Sequence, residues 1–71
     1  MRSEDEVRGM WKLLSKAALF AEKTGDKESY EVMSNVATAL GWVLGNPLAS
    51  HAVAELVPGA EWAANQLDSM N

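Results

Sequence analysis

The chain has 71 residues, a net charge of −4 and a hydrophobic fraction of 48%, which suits one small folded domain and argues against disorder. It contains no cysteine, so disulfides and thiolate-bound metals are excluded as sources of stability. A chain of this size without such supports must rely on helix packing, on self-association, or on both.

The distribution of apolar and charged residues argues against membrane insertion. No apolar run reaches the ~18 residues that a membrane span requires, and no signal-peptide core follows Met1-Arg2. We therefore expect a soluble, cytoplasmic protein. All six basic residues lie within the first 27 positions, whereas five acids and no Lys or Arg follow from Glu28 onward.

The first predicted helix covers about residues 4–23. Ser3 and Glu6 have the spacing of a capping box, which is typical of a helix start. Apolar residues recur at helical spacing on one side, namely Val7, Met10, Trp11, Leu14, Ala17, Ala18 and Ala21. A line of basic residues follows the other side, consisting of Arg8, Lys12, Lys16 and Lys23.

The second predicted helix covers about residues 27–44, with Asp26 as its N-cap and Gly45 just beyond its end. The link at Gly25 is so short that the two helices should form an antiparallel hairpin. Most apolar residues gather on one side of this helix. Trp42 is the exception, because it falls on the polar side in line with Thr38.

A third helix is predicted over about residues 47–56, starting at Asn46 as N-cap and Pro47 in the first turn. Val57-Pro58-Gly59 should end it, and a short last helix should follow over about 60–68. The sequence thus predicts a single all-α domain: a helical hairpin, a third helix packed across it and a short C-terminal helix. The predicted core comprises Leu14, Ala18, Met33, Val36, Leu40, Val53 and Leu56.

The sequence shows no catalytic, metal-binding or cofactor-binding motif. His51 and Glu55 are four residues apart on one helix face, where they would form a surface hydrogen bond. The pair does not match the HExxH zinc motif, because the residue four positions after His51 is Glu55 and not a second histidine. We therefore predict a protein that is not an enzyme and binds no cofactor.

The basic line of the first helix supports an alternative function, that of a nucleic-acid-associated regulator. Arg8, Lys12, Lys16 and Lys23 could follow a line of phosphates. Against this, Asn46-Pro47 interrupts the chain where the recognition helix of a helix-turn-helix would run, and no basic residue lies beyond position 27.

The three tryptophans suggest a function in protein interaction. Trp11 lies on an apolar stripe and is predicted to be in the core, whereas Trp42 and Trp62 lie off their stripes. These two either cover each other or form an exposed apolar patch of the kind that is enriched at interfaces. A row of small residues borders this side of the second helix. We predict contact with a second copy, as a homodimer, or with another protein through Trp42, Trp62, Thr38, Gly41 and Ser34.

The segment Ala39-Leu40-Gly41-Trp42-Val43-Leu44-Gly45 resembles one that recurs in short uncharacterised proteins of actinobacterial phages. In those proteins a helix ends in a Trp-Val-Leu-Gly run before a polar or proline-containing loop. The resemblance implies a small accessory protein made in the host cytoplasm, a class in which many members act by binding a host protein.

Overall fold

A computed structural model describes residues 1–70, and within them the chain forms three α-helices and no strand: α1 (Glu4–Thr24), α2 (Lys27–Val43) and α3 (Pro47–Ser69). The all-α prediction is therefore confirmed. In the part of the chain that is described, none of the helices combines the length and apolar character needed to cross a lipid bilayer.

Each helix begins where its capping residue predicts. Ser3 Oγ accepts a hydrogen bond from the Glu6 backbone N–H at 3.2 Å. In the same way Asp26 Oδ1 accepts from the Ser29 N–H at 3.1 Å, and Asn46 Oδ1 accepts from the Ala49 N–H at 3.0 Å. These side chains satisfy backbone donors that the first helical turn leaves free. The caps fix where α1, α2 and α3 start.

The two interhelical turns depend on glycine. Gly25 and Gly45 have φ angles of 79° and 78°, in the left-handed region that glycine enters without steric cost. Gly25 donates its backbone N–H to the carbonyl of Glu22, and the following N–H bonds to Ala21, so free carbonyls at the end of α1 are satisfied. Because this connection is so short, α2 runs back along α1 and the two helices pack together over their lengths.

The helices meet through small residues. Ala18 and Ala21 of α1 and Ala37 and Gly41 of α2 are buried, and the same holds for Ala49 of α3. Among residues 1–70 no side chain larger than alanine reaches this degree of burial. Small side chains let helix backbones approach closely, and the larger apolar side chains are then displaced to the flanks of the contact.

The predicted core is therefore wrong in part. Ala18 is buried, while Leu14, Met33, Leu40 and Val53, together with Trp11, are half-buried. Val36 and Leu56 are exposed, at 45% and 68% of their areas. Val36 is exposed because the contact with α1 runs through Ala37 and Gly41, and one residue turns the side chain by ~100° around the helix. Leu56 is exposed because α3 has left the hairpin by that position.

The predicted break in the third helix is also wrong, since α3 continues through Pro58 and Gly59 to Ser69. Proline removes one hydrogen bond, here to the carbonyl of Ala54, and its ring crowds that carbonyl. Both Ala54 and Pro58 are exposed, so water can satisfy the freed carbonyl and the helix can tolerate a local distortion. The predicted helices 47–56 and 60–68 are two halves of one helix.

Only the first part of α3 packs on the hairpin, where its backbone contacts α2. Of the predicted packing across the hairpin, the backbone contact with α2 is present, whereas the described residues of α3 make no backbone contact with α1. Every residue from 54 to 70 is exposed, and we call this segment the C-terminal arm. The radius of gyration is 14.7 Å, compared with ~11 Å for a compact chain of this length.

Candidate interaction surfaces

One side of the hairpin carries a groove of about 370 Å³ between α1, α2 and the start of α3. Small and hydroxylated residues form much of its wall, and Trp11 of α1 and Ala49 of α3 also line it. Two of the predicted partner-binding residues, Ser34 and Thr38, lie here and are half-buried. Thr38 Oγ1 donates to the carbonyl of Ser34 at 2.9 Å, so its hydroxyl proton is engaged within α2 while its oxygen remains free to accept.

Gly41 lies inside the molecule, which removes it from the predicted partner-binding surface. A β-carbon at this position would come within 2.9 Å of the Ala49 β-carbon and 3.2 Å of Trp11 Nε1. At Gly41 the absence of a side chain therefore allows close approach by Ala49 of α3 and by Trp11 of α1.

The two tryptophans that lie off their helical stripes are both open to solvent. Trp42 exposes 55% and Trp62 exposes 66% of its area. These exposed fractions argue against mutual coverage, and a single apolar patch formed by both tryptophans stays a prediction. Trp42 projects from the outer side of α2, and Trp62 projects from the C-terminal arm. The structure thus presents two exposed aromatic groups on different helices.

A further apolar surface lies on the hairpin side opposite the groove, and we call it the open face. It comprises Met10, Leu13 and Phe20 of α1 with Val32, Val36 and Val43 of α2, each between 45% and 69% exposed. Sequence reasoning missed this surface, because it assigned most of these residues to apolar stripes facing a core. The width of these stripes could have indicated it, because a stripe wider than one helix–helix contact leaves apolar residues uncovered.

The basic line of α1 is present on the outer side of that helix. Arg8 is half-buried and its guanidinium pairs with the Glu4 carboxylate at 3.0 Å. Lys12, Lys16 and Lys23 are exposed and form no ion pair within residues 1–70. Lys12 and Lys16 flank a shallow apolar depression formed with Trp11. The line is therefore accessible, with three of its four charges uncompensated by a close carboxylate.

The remaining candidate residues are the titratable side chains. His51 Nε2 lies 3.0 Å from Glu55 Oε1 on the surface of α3, which confirms the predicted surface pair. In the described part of the chain, no three His, Asp or Glu side chains are placed to hold a metal ion. At Asp26, hydrogen bonding by the Ser29 hydroxyl and then by the Ser29 N–H lowers the pKa of the carboxyl below its ordinary 3.8.

Comparison with protein-family models finds no matching family, and comparison with curated proteins and with solved structures finds no significant similarity.

Proposed function

We propose that this protein is a non-enzymatic protein-interaction module that binds through apolar helix surfaces. The observation that carries the proposal is its accessible surface of 5799 Å². A compact monomer of 7.7 kDa should expose about 4,300 Å². The chain thus leaves roughly 1,500 Å² more surface in contact with water than its mass requires.

The character of this surface supports the proposal. Phe20, Trp42 and Trp62 each expose more than half of their area, and exposed aromatic side chains are typical anchors of protein interfaces. Leu56 and Leu67 of the C-terminal arm are 68% and 63% exposed. The open face on α1 and α2 is a contiguous apolar patch of the kind that marks an interaction site. The resemblance to small phage accessory proteins agrees with such a role, with a host protein as one class of partner.

Measurement of the mass in solution by light scattering, at two concentrations, tests this proposal together with binding of an apolar fluorescent dye. We expect either a mass above 7.7 kDa or a monomer that binds the dye strongly. A Trp42→Ala variant should weaken dye binding, whereas Asn35→Ala, an exposed position on the same side of α2, should not. A monomer that binds no dye at either concentration would overturn the proposal.

The accessible lysines of α1 favour one second candidate, a nucleic-acid-associated regulator. Its test is a polarisation titration with mixed-sequence DNA at low salt, because phosphate contacts weaken as salt rises. Salt-sensitive binding that is lost in a Lys12→Glu/Lys16→Glu variant would support this candidate. Absence of binding at low salt would remove it.

A further inference from the structure

We propose that the open face binds a second copy of this chain, so that two α1–α2 hairpins form a four-helix dimer. This inference rests on the proposed function and names the partner. It also specifies a surface that excludes the groove, the tryptophans that lie off their stripes and the C-terminal arm.

The open face is continuous across both helices. The groove residues, such as Ser15 of α1 and Ser34 of α2, identify the hairpin side on which α3 packs. Helical periodicity turns Leu13 and Val36 to the other side. On α1 the exposed apolar residues recur at positions 10, 13 and 20, and on α2 at positions 32, 36 and 43. These i, i+3, i+4 and i+7 separations align each set along its helix.

The charge pattern favours a second copy as the occupant. The six residues of the open face carry no charge. The charged residues nearest to them by helical position are Glu6, whose carboxylate pairs with Arg2 of the same chain at 3.1 Å, and the oppositely charged Lys16 and Glu28 at the edges of the face. Two open faces can therefore meet without bringing like charges together. The C-terminal arm is different, because it carries Glu55, Glu61 and Asp68 and no basic residue. Two arms packed together would concentrate negative charge.

The area of the open face is close to what a stable dimer needs. Six large apolar side chains, each exposing on the order of 100 Å², present about 600 Å², and half-buried Met33 and Leu40 lie beside them. Each partner of a standard protein interface contributes about 800 Å². Two hairpins packed face to face would thus bury up to about 1,200 Å² from these side chains, which is the lower end of the range for stable interfaces.

The small core of the single chain gives an independent reason for dimerisation. The buried side chains among residues 1–70 are alanines, and alanine contributes little apolar area. A domain of this size needs more buried surface to offset its conformational entropy. Docking two open faces would convert Leu13, Phe20 and Val36 into core residues shared by both copies.

Thiol protection tests the proposal, because the chain has no cysteine of its own. Val36→Cys places a thiol on the open face, and Val57→Cys places one on the C-terminal arm. The two positions are matched, because the native valines are 45% and 42% exposed in the single chain. At concentrations where the protein is dimeric, we expect the thiol at position 36 to react about tenfold more slowly, because only the dissociated fraction exposes it.

Equal reaction rates at the two positions would overturn the proposal, as would faster reaction at position 36. A dimeric mass with equal rates would leave the interaction function intact and place the contact elsewhere. The unmodified protein provides a second measurement, since a dimer whose folding depends on association melts at a higher temperature as concentration rises. A melting temperature independent of concentration, together with a monomeric mass, would also overturn it.

Discussion

The two halves of α3 share one helix and one apolar stripe, but their environments differ completely. In the first half, Ala49 is buried and Ala52 and Val53 are half-buried against the hairpin. In the second half, Leu56 and Leu67 continue the stripe and remain largely exposed. Amphipathic periodicity therefore shows which side of a helix can pack. Whether it packs depends on what the neighbouring helix offers.

The neighbour of the first half is Gly41, whose missing side chain creates the space that Ala49 occupies. The β-carbon that glycine lacks would lie 2.9 Å from the Ala49 β-carbon, which is closer than carbon atoms pack. No comparable site faces the C-terminal arm in residues 1–70, because every residue from 54 to 70 is exposed. Local helix propensity must therefore hold the arm, whereas tertiary contact holds the first half.

Substitution of Pro58 should have the largest effect on the difference in stability between the two halves of α3. Proline in a helix interior costs about 3 kcal/mol relative to alanine, so Pro58→Ala should stabilise the helical arm locally by that order. Amide hydrogen exchange between residues 60 and 67 should slow markedly, while the hairpin exchanges as before. Proline at the first position of a helix is favourable, so Pro47→Ala is the control. Equal effects of the two substitutions would contradict the difference between the halves.

Substitution of Gly41 should make the two halves of α3 more alike, because it should weaken the contact that holds the first half on α2. Gly41→Ala places a methyl group against Ala49 and Trp11, and overpacking of this kind costs about 1–3 kcal/mol. Gly9→Ala is the matched control, because Gly9 is also helical and has nothing within 4 Å of its missing β-carbon. Both variants gain the same helix propensity, about 1 kcal/mol.

The difference in unfolding free energy between these two variants, measured by chemical denaturation, therefore isolates the packing cost. We expect Gly9→Ala to be the more stable by about 1–3 kcal/mol. Equal stability would mean that α3 does not rest on Gly41. Amides of the first half of α3 should also exchange faster in Gly41→Ala, approaching the rates of the arm.

The sequence predicted the local features of this fold better than its packing. Ser3, Asp26 and Asn46 act as N-caps because the bonds that they form lie within one turn, and short spacing reveals them. The course of α3 through Pro58 could not be read in this way, because it depends on whether water reaches the Ala54 carbonyl. The open face was missed for a related reason. An apolar stripe shows which side of a helix can be buried, but it does not show which helix, if any, packs against it.

In the candidate interaction surfaces, too, the sequence predicted local features better than packing. The exposure of Trp42 and Trp62 was one of two alternatives from sequence, because their positions off the helical stripes were visible in the spacing. The burial of Gly41 was not visible, since it depends on where Ala49 arrives after the turn at Gly45. The structure settles both, by placing the aromatic groups outside and the glycine within.

The N-caps of α2 and α3 should respond differently to acid, which is the smallest effect we expect. Hydrogen bonding by the Ser29 hydroxyl and N–H lowers the pKa of the Asp26 carboxyl below its ordinary 3.8. A group whose pKa is lower in the folded state contributes stability above its unfolded pKa and loses it as pH falls through the folded value. The start of α2 should therefore fray below pH 3.8, whereas Asn46, which does not titrate, should hold the start of α3.

Amide exchange at Ser29 and Ala49 measures the two caps in one acid titration, and Asp26→Asn should abolish the response at Ser29. A transition at Ser29 centred at or above pH 3.8, or an equal transition at Ala49, would show that acid acts on the fold as a whole and not through this cap.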